Sequence, residues 1–199
     1  MLLTSLHQYK ALILIVTAVS ALLIASPVIQ QFIAYSQTDY LTELSLFGPY
    51  HNATYPYNIV SDNAYQFYLD VTNHLGSSTY YVIEVKFRNQ TQSSADSFNH
   101  SSSELPPLSQ ITFFAADKQT VELPFTVTFN YHLKNMQIEF SEITINGFPI
   151  KFKSTSIVWD SQRNGFFGNL FFELWIFNGT VGSFQYNQRY VSLWFKLNV

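Results

Sequence analysis

Asp62, Asp70 and Asp117 are the carboxylates that loops could gather around a calcium ion, yet their spacing follows no calcium-loop repeat. His51, His74, His100 and His132 fall in predicted loops or at strand ends, and none has a second histidine at ligand spacing. A solvated or turn-bonded histidine is the simpler account of each. A G-x-S-x-G elbow would present a nucleophile, an H-E-x-x-H pair a zinc ion, and a glycine-rich loop a phosphate. The chain has none of these, and it has no cysteine for thiol catalysis, disulfides or thiolate metal sites. The reading is therefore no enzyme, with no catalytic residue, no metal site and no cofactor.

Recognition offers more than catalysis. Four N-glycosylation sequons begin at Asn52, Asn89, Asn99 and Asn178, little above what chance gives this many Asn, Ser and Thr. Their placement says more than their number: all lie in predicted turns or polar loop, where an extracytoplasmic glycan would attach. The stretch "GFFGNLFFELWIFNG", 165–179, is the most apolar of the main domain. Leu170, Phe172, Leu174 and Ile176 make one face of a strand, and Phe171, Trp175 and Phe177 the other. Two apolar faces imply a central strand covered on both sides. The alternative is an exposed aromatic surface for a protein partner, a glycan or a membrane, with Trp159 and Trp194 as further contacts.

These residues need elements to carry them. The chain opens with residues 11–34 free of charged side chains, 24 positions that as a helix would span about 36 Å. A hydrocarbon core needs about 20 such residues. Thr17 and Ser20 are the only polar side chains before Ala25, so the polar stripe of a soluble core helix is missing. Pro27 either ends the helix or is accommodated inside a membrane helix. A cleaved signal is the competing reading, because Ala34-Tyr35-Ser36 offers small residues at a cleavage spacing. The expectation is a transmembrane helix at 11–35 after a short cytoplasmic segment, 1–10. Lys10 before the stretch and Asp39 and Glu43 after it put residues 36–199 on the outer side.

Beyond Tyr35 the periodicity is two. Tyr65, Phe67, Leu69 and Val71 alternate with polar neighbours; Tyr81, Ile83, Val85 and Phe87 alternate with Glu84, Lys86 and Arg88. Val191, Leu193, Phe195, Leu197 and Val199 do the same at the carboxyl end. Such strands are apolar on one side and wet on the other. Further strands are expected at 40–47, 55–60, 109–115, 120–129, 136–145, 148–153 and 169–178. Asn146-Gly147 marks a hairpin, since both turn positions need positive φ, and Asn178-Gly179 closes another. The fold class expected is all-β, an immunoglobulin-like two-sheet sandwich, with a hairpin insertion at 130–164. Residues 89–109, "NQTQSSADSFNHSSSELPPLS", are too polar to pack and are expected on the surface. The main domain carries nine bases against thirteen acids, which excludes an electrostatic footprint for nucleic acid.

Thr42-Glu43, Gly48-Pro49, Tyr55-Pro56, Asn73-His74, Tyr80 or Tyr81, and Tyr190 with Leu193 and Val199 form a pattern. In it, 40–90 and 165–199 resemble the archaeal family catalogued as domain of unknown function 1616. Leu75 stands where that pattern often has an acid. The resemblance implies an archaeal, membrane-tethered extracytoplasmic β-domain and supplies no catalytic residues. The functional expectation is an accessory subunit of an envelope or membrane complex, held in lipid by 11–35 and docking a protein partner. A carbohydrate- or ligand-binding module is the alternative.

Overall fold

The computed structural model describes residues 9–34, 41–96, 98–151 and 156–199. The chain forms two units, Met1–Tyr40 and Leu41–Val199.

In the first unit, helix α1 spans Lys10–Ala34 and runs through Pro27. After the exposed Lys10, its described side chains, at 12 and 14–24, are apolar or small and all exposed, with no polar stripe. Among the described residues no helix is long and apolar enough to cross a membrane. The consecutive described side chains, 14–24, cover only about 16 Å of helix.

Among its described residues the second unit has eleven strands: β1 Thr42–Phe47, β2 Asn58–Val60, β3 Ala64–Asn73, β4 Thr79–Arg88, β5 Ser109–Ala115 and β6 Thr120–Lys134, then β7 Gln137–Ile145, β8 Phe148–Ile150, β9 Ser156–Asp160, β10 Gly165–Asn178 and β11 Ser183–Asn198. It is mostly β, as the alternation predicts. One curled sheet runs β1-β3-β6-β7-β9-β10-β11-β2; β4 and then β5 extend from β10, and β8 lies on β7. Every pairing is antiparallel except β2 with β11. Strand β9 makes the corner: Ile157 and Val158 pair with β7, while Trp159 and Asp160 pair with β10.

The expected inward faces are the buried ones, except that Val199 lies beyond β11 and is exposed. Phe67, Leu69 and Val71 of β3 and Phe125, Val127 and Phe129 of β6 meet Ile83, Val85 and Phe87 of β4 and Leu170, Phe172 and Leu174 of β10. Rings cross the core between strands that are not sheet neighbours: Phe125 meets Phe172 edge-on at 5.0 Å, and Phe129 lies 4.9 Å from Phe195. Each such pair adds about 0.5–1.5 kcal/mol to the burial of its area. Asn146 and Gly147 take φ of 49° and 82°, the paired left-handed conformations that a two-residue hairpin turn requires. The β10–β11 turn is wider than its sequence suggests, with Gly182 rather than Gly179 in the left-handed region.

Two expectations need correcting. The outer face of β4 is not wet, because Lys86 is buried, and residues 89–109 do not simply lie in solvent. The segment joining β4 to β5 packs over the outer face of β10 and buries Ala95 and Ser103.

Candidate functional site

Strand β10 is central, so its outer side chains sit in cross-strand rows. Asn169 lies between Arg88 and Trp194, Phe171 between Lys86 and Ser192, Glu173 between Glu84 and Tyr190, and Trp175 between Val82 and Tyr186. Onto these rows the 89–108 segment brings Ser103. The Ser103 N–H donates to Glu173 Oε1 at 2.7 Å, and Lys86 Nζ donates to the Ser103 carbonyl at 3.0 Å. Lys86 Nζ also meets Glu173 Oε2 at 2.7 Å and Glu84 Oε2 at 3.1 Å. With Lys86 2% exposed and Glu173 fully buried, this is an ion pair inside the protein. A buried charge is tolerated only when paired and hydrogen-bonded. Here the ammonium has three acceptors, and each Glu173 oxygen has a donor. Polar backbone that would otherwise stay in water is thereby held against an apolar sheet.

Next along the sheet, Arg88 Nε donates to Asn169 Oδ1 at 2.8 Å and Arg88 Nη1 to the Gln92 carbonyl at 2.8 Å. The guanidinium lies 4.9 Å from the Trp194 ring centre. Arg163 covers the same indole at 5.2 Å and Phe167 at 5.5 Å. Burial lowers the Arg88 pKa from its usual value. Toward the other end the β10–β11 register shifts after Leu174, leaving Asn187 and Gln188 as the bulge, with Gln188 at φ 56°. Trp175 Nε1, Tyr186 Oη and Asn187 Nδ2 are buried there without a partner among the described residues. Burial, then the Glu173 charge, raises the Tyr186 phenol above its ordinary range.

The sequence-predicted contacts therefore separate. Phe171 is fully buried under the 89–108 segment and presents nothing to a partner; Trp175 is mostly covered. Trp194 is faced by two guanidinium groups. Phe177 is exposed at the end of β10, and Trp159, edge-on to Phe166 at 5.1 Å, is exposed on the corner strand. Sequence reasoning missed Lys86, Glu173 and Ser103. The lone Glu173 inside an apolar strand was the signal that could have found them.

The remaining candidates scatter. Asp62 accepts from Asn130 Nδ2 in the β2–β3 turn, Asp117 accepts from the Gly76 N–H in the β5–β6 turn, and Asp70 faces Glu122 and His51 in mid-strand. Among the described residues no group of three His, Asp or Glu is placed to hold a metal ion. His51 meets Glu122 at 3.0 Å and stacks on Tyr68, while His74 and His132 each lie 3.7 Å from a glutamate. Of the sequon asparagines, Asn52 and Asn99 are exposed. The Asn89 amide is engaged with the Ser156 carbonyl, and that of Asn178 with Gln185 Oε1.

No family model matches the chain, and no curated protein matches it.

Proposed function

We infer that this chain is a membrane-tethered, non-catalytic β-domain held outside the cytoplasm, serving as an accessory subunit of a membrane or envelope complex. The observation that carries the reading is the 25-residue helix Lys10–Ala34. It follows a single lysine and holds 24 uncharged residues, and its described side chains are exposed all round. A helix apolar on every side is stable in lipid and a liability in water. At about 1.5 Å per residue its backbone measures about 37 Å, enough for a hydrocarbon core of about 30 Å. Lys10 before it and acids after it favour a cytoplasmic amino terminus.

The outer domain supports a binding role over a catalytic one. Its buried carboxylate, Glu173, spends both oxygens on Lys86 and Ser103 rather than presenting one to a substrate. Core rings meeting across non-neighbouring strands support a two-layer, immunoglobulin-like sandwich, with β9 turning the corner between layers. Such a tethered domain accords with the family resemblance. A carbohydrate-binding role has weaker support, because Trp175 and Trp194 are covered and only Trp159 offers an open ring.

The test is fractionation of the full chain from its native membranes, followed by mild-detergent purification and intact-mass measurement. We expect the chain to float with membranes, resist carbonate extraction and retain residues 1–36, with one protein co-purifying at fixed stoichiometry. A mass lacking residues 1–36, or release by carbonate, overturns the anchor. Purification alone, with no partner, overturns the accessory role and sends the domain to a glycan panel.

A further inference from the structure

Among the described residues four strands have a single sheet neighbour: β1, β2, β5 and β8. A free edge offers its N–H and C=O groups to any further strand, and proteins guard such edges with shortness, charge, proline or bulges. Strands β2 and β8 are three residues each, and β8 contains Pro149. Strand β1 carries Glu43, and Arg189 of β11 donates to its Thr42 carbonyl. Strand β5 has none of these guards. It is seven residues long, "SQITFFA", without charge or proline, and it pairs with β4 at all seven positions with no register shift.

The side chains of β5 say which strand fits. Ile111 and Phe113 lie on the core side, only half-buried, and the Phe113 ring is 5.5 Å from that of Tyr81. Gln110, Thr112 and Phe114 are exposed on the outer side. An antiparallel second copy centred on Thr112 puts Ile111 opposite Phe113, Ser109 opposite Ala115, Gln110 opposite Phe114, and Thr112 opposite itself. The half-buried apolar residues then cover one another, and core and outer faces stay in step through all seven positions. Beyond the strand the same register sets Pro107 opposite Asp117 and Pro106 opposite Lys118. Proline has no N–H to give, so the ladder stops there, with no charge facing its like. This reversal symmetry commits the edge to the chain itself. A strand shaped for a different partner has no need to oppose its own reverse without a mismatch.

We propose that β5 is a self-association edge, which pairs antiparallel with β5 of a second copy about a two-fold axis at Thr112. Each copy uses the same surface, so the assembly closes at two. The strands β10, β4 and β5 of one copy then continue into β5, β4 and β10 of the other. The pairing is independent of whether α1 is anchored. Its geometry is specific: the two Thr112 Cβ atoms fall about 4.5–5.5 Å apart. Gln110 and its own counterpart are four residues out of register, about 13 Å along the strand.

The chain has no cysteine, so an introduced thiol reports only on its own position. Full-length Thr112→Cys and Gln110→Cys, both at exposed positions, are oxidised with copper phenanthroline in whole-cell lysate and resolved without reductant. A disulfide needs Cα atoms within about 7 Å. Thr112→Cys should therefore run at twice 22.9 kDa and return to the single mass on reduction, while Gln110→Cys stays single. The double variant Gln110→Cys/Phe114→Cys should link again, because the register opposes those two positions. Purified full-length protein in mild detergent should sediment as two copies. Thr112→Lys, which sets two ammonium groups across the axis, should halve that mass with the circular dichroism spectrum unchanged. Absence of a link at 112, or equal linking at 110 and 112, overturns the pairing. A link from 112 to a different protein overturns the second copy and assigns the edge to that protein's strand. A two-copy mass that Thr112→Lys leaves intact refers the association to another surface and overturns it too.

Discussion

Lys86→Met tests whether the buried ion pair holds the 89–108 segment down. Met has an unbranched apolar side chain one atom shorter than that of Lys, so the loss is mainly the charged ammonium. Removing one partner of a buried pair costs about 3–5 kcal/mol, because the other is left uncompensated. The two single changes should differ within that range. Glu173→Gln leaves the ammonium with Glu84 Oε2 and the Ser103 carbonyl, which places it near the lower figure. Lys86→Met leaves Glu173 with only the Ser103 N–H, beside the like charge of Glu84, which places it near the upper. For a unit of this size each kcal/mol moves the melting temperature by about 2–4 °C, so the losses correspond to about 6–20 °C. Thermal melts of full-length protein in one detergent would read them. Amide exchange across 89–108 should quicken in both variants ahead of the core strands.

The double variant Lys86→Met/Glu173→Leu is the decisive one. With both members of the buried pair gone, the Ser103 N–H and carbonyl lose partners, at about 1–3 kcal/mol for each buried group left unsatisfied, and the partly exposed Glu84 loses its ammonium. The double variant should therefore be more stable than Lys86→Met alone. A double variant whose loss equals the sum of the singles would refute the pairing argument. So would a Lys86→Met loss below about 1 kcal/mol, since no buried charge would then have been stranded.

Two further outcomes follow from local geometry. Gly168→Ala would place a Cβ 2.7 Å from Phe87 Cζ and 2.9 Å from its Cε2, so denaturant titration should show overpacking of about 1–3 kcal/mol. Burial, then Glu122, raises the Asp70 pKa against a smaller opposing pull from His51, and Asp70 Oδ1 has no protein partner. Its protonated form is thus favoured by folding. The associated stability is complete below the unfolded value, near 3.9, and is lost as pH rises through the folded value. Asp70→Asn should then melt above the parent at neutral pH, with the gap closing by about pH 3; a parent that is the more stable at neutral pH refutes this.

Most strands were legible because one face is dry and the other wet. The period-two faces of β3, β4 and β11 carry the residues found in the core, and Asn146-Gly147 makes the turn its φ requirement implies. Strand β9 was not legible. Its five residues, Ser156–Asp160, owe their conformation to splitting their pairing between β7 and β10, a tertiary circumstance with no local pattern. The 89–108 segment was misjudged for a different reason. Ser- and Asn-rich composition reports the cost of burying a segment's own polar groups, not the partners waiting for them. Lys86 on a face that alternation calls wet and Glu173 in an apolar strand were each odd alone. The register places them two residues apart, on a diagonal of the same face of β4 and β10, and only together do they explain why a polar loop packs.

The aromatic content of 18% divides into three environments, and the division locates what the domain has left to bind. Rings such as Phe125, Phe129 and Phe172 fill the core, and their partners are in the fold. Phe171 and Trp194 lie on the outer face, but the 89–108 segment and the two arginines already cover them. Phe114, Tyr80, Phe177 and Phe184, at one end of β5, β4, β10 and β11, instead combine ring contact with exposure, Phe114 at 68% and Phe177 at 40%. Fold stability does not require that exposure, since polar side chains at the ends of β5 and β10 would keep the same backbone pairing. That exposure is therefore a property of this row's side chains and not of the sheet that carries them.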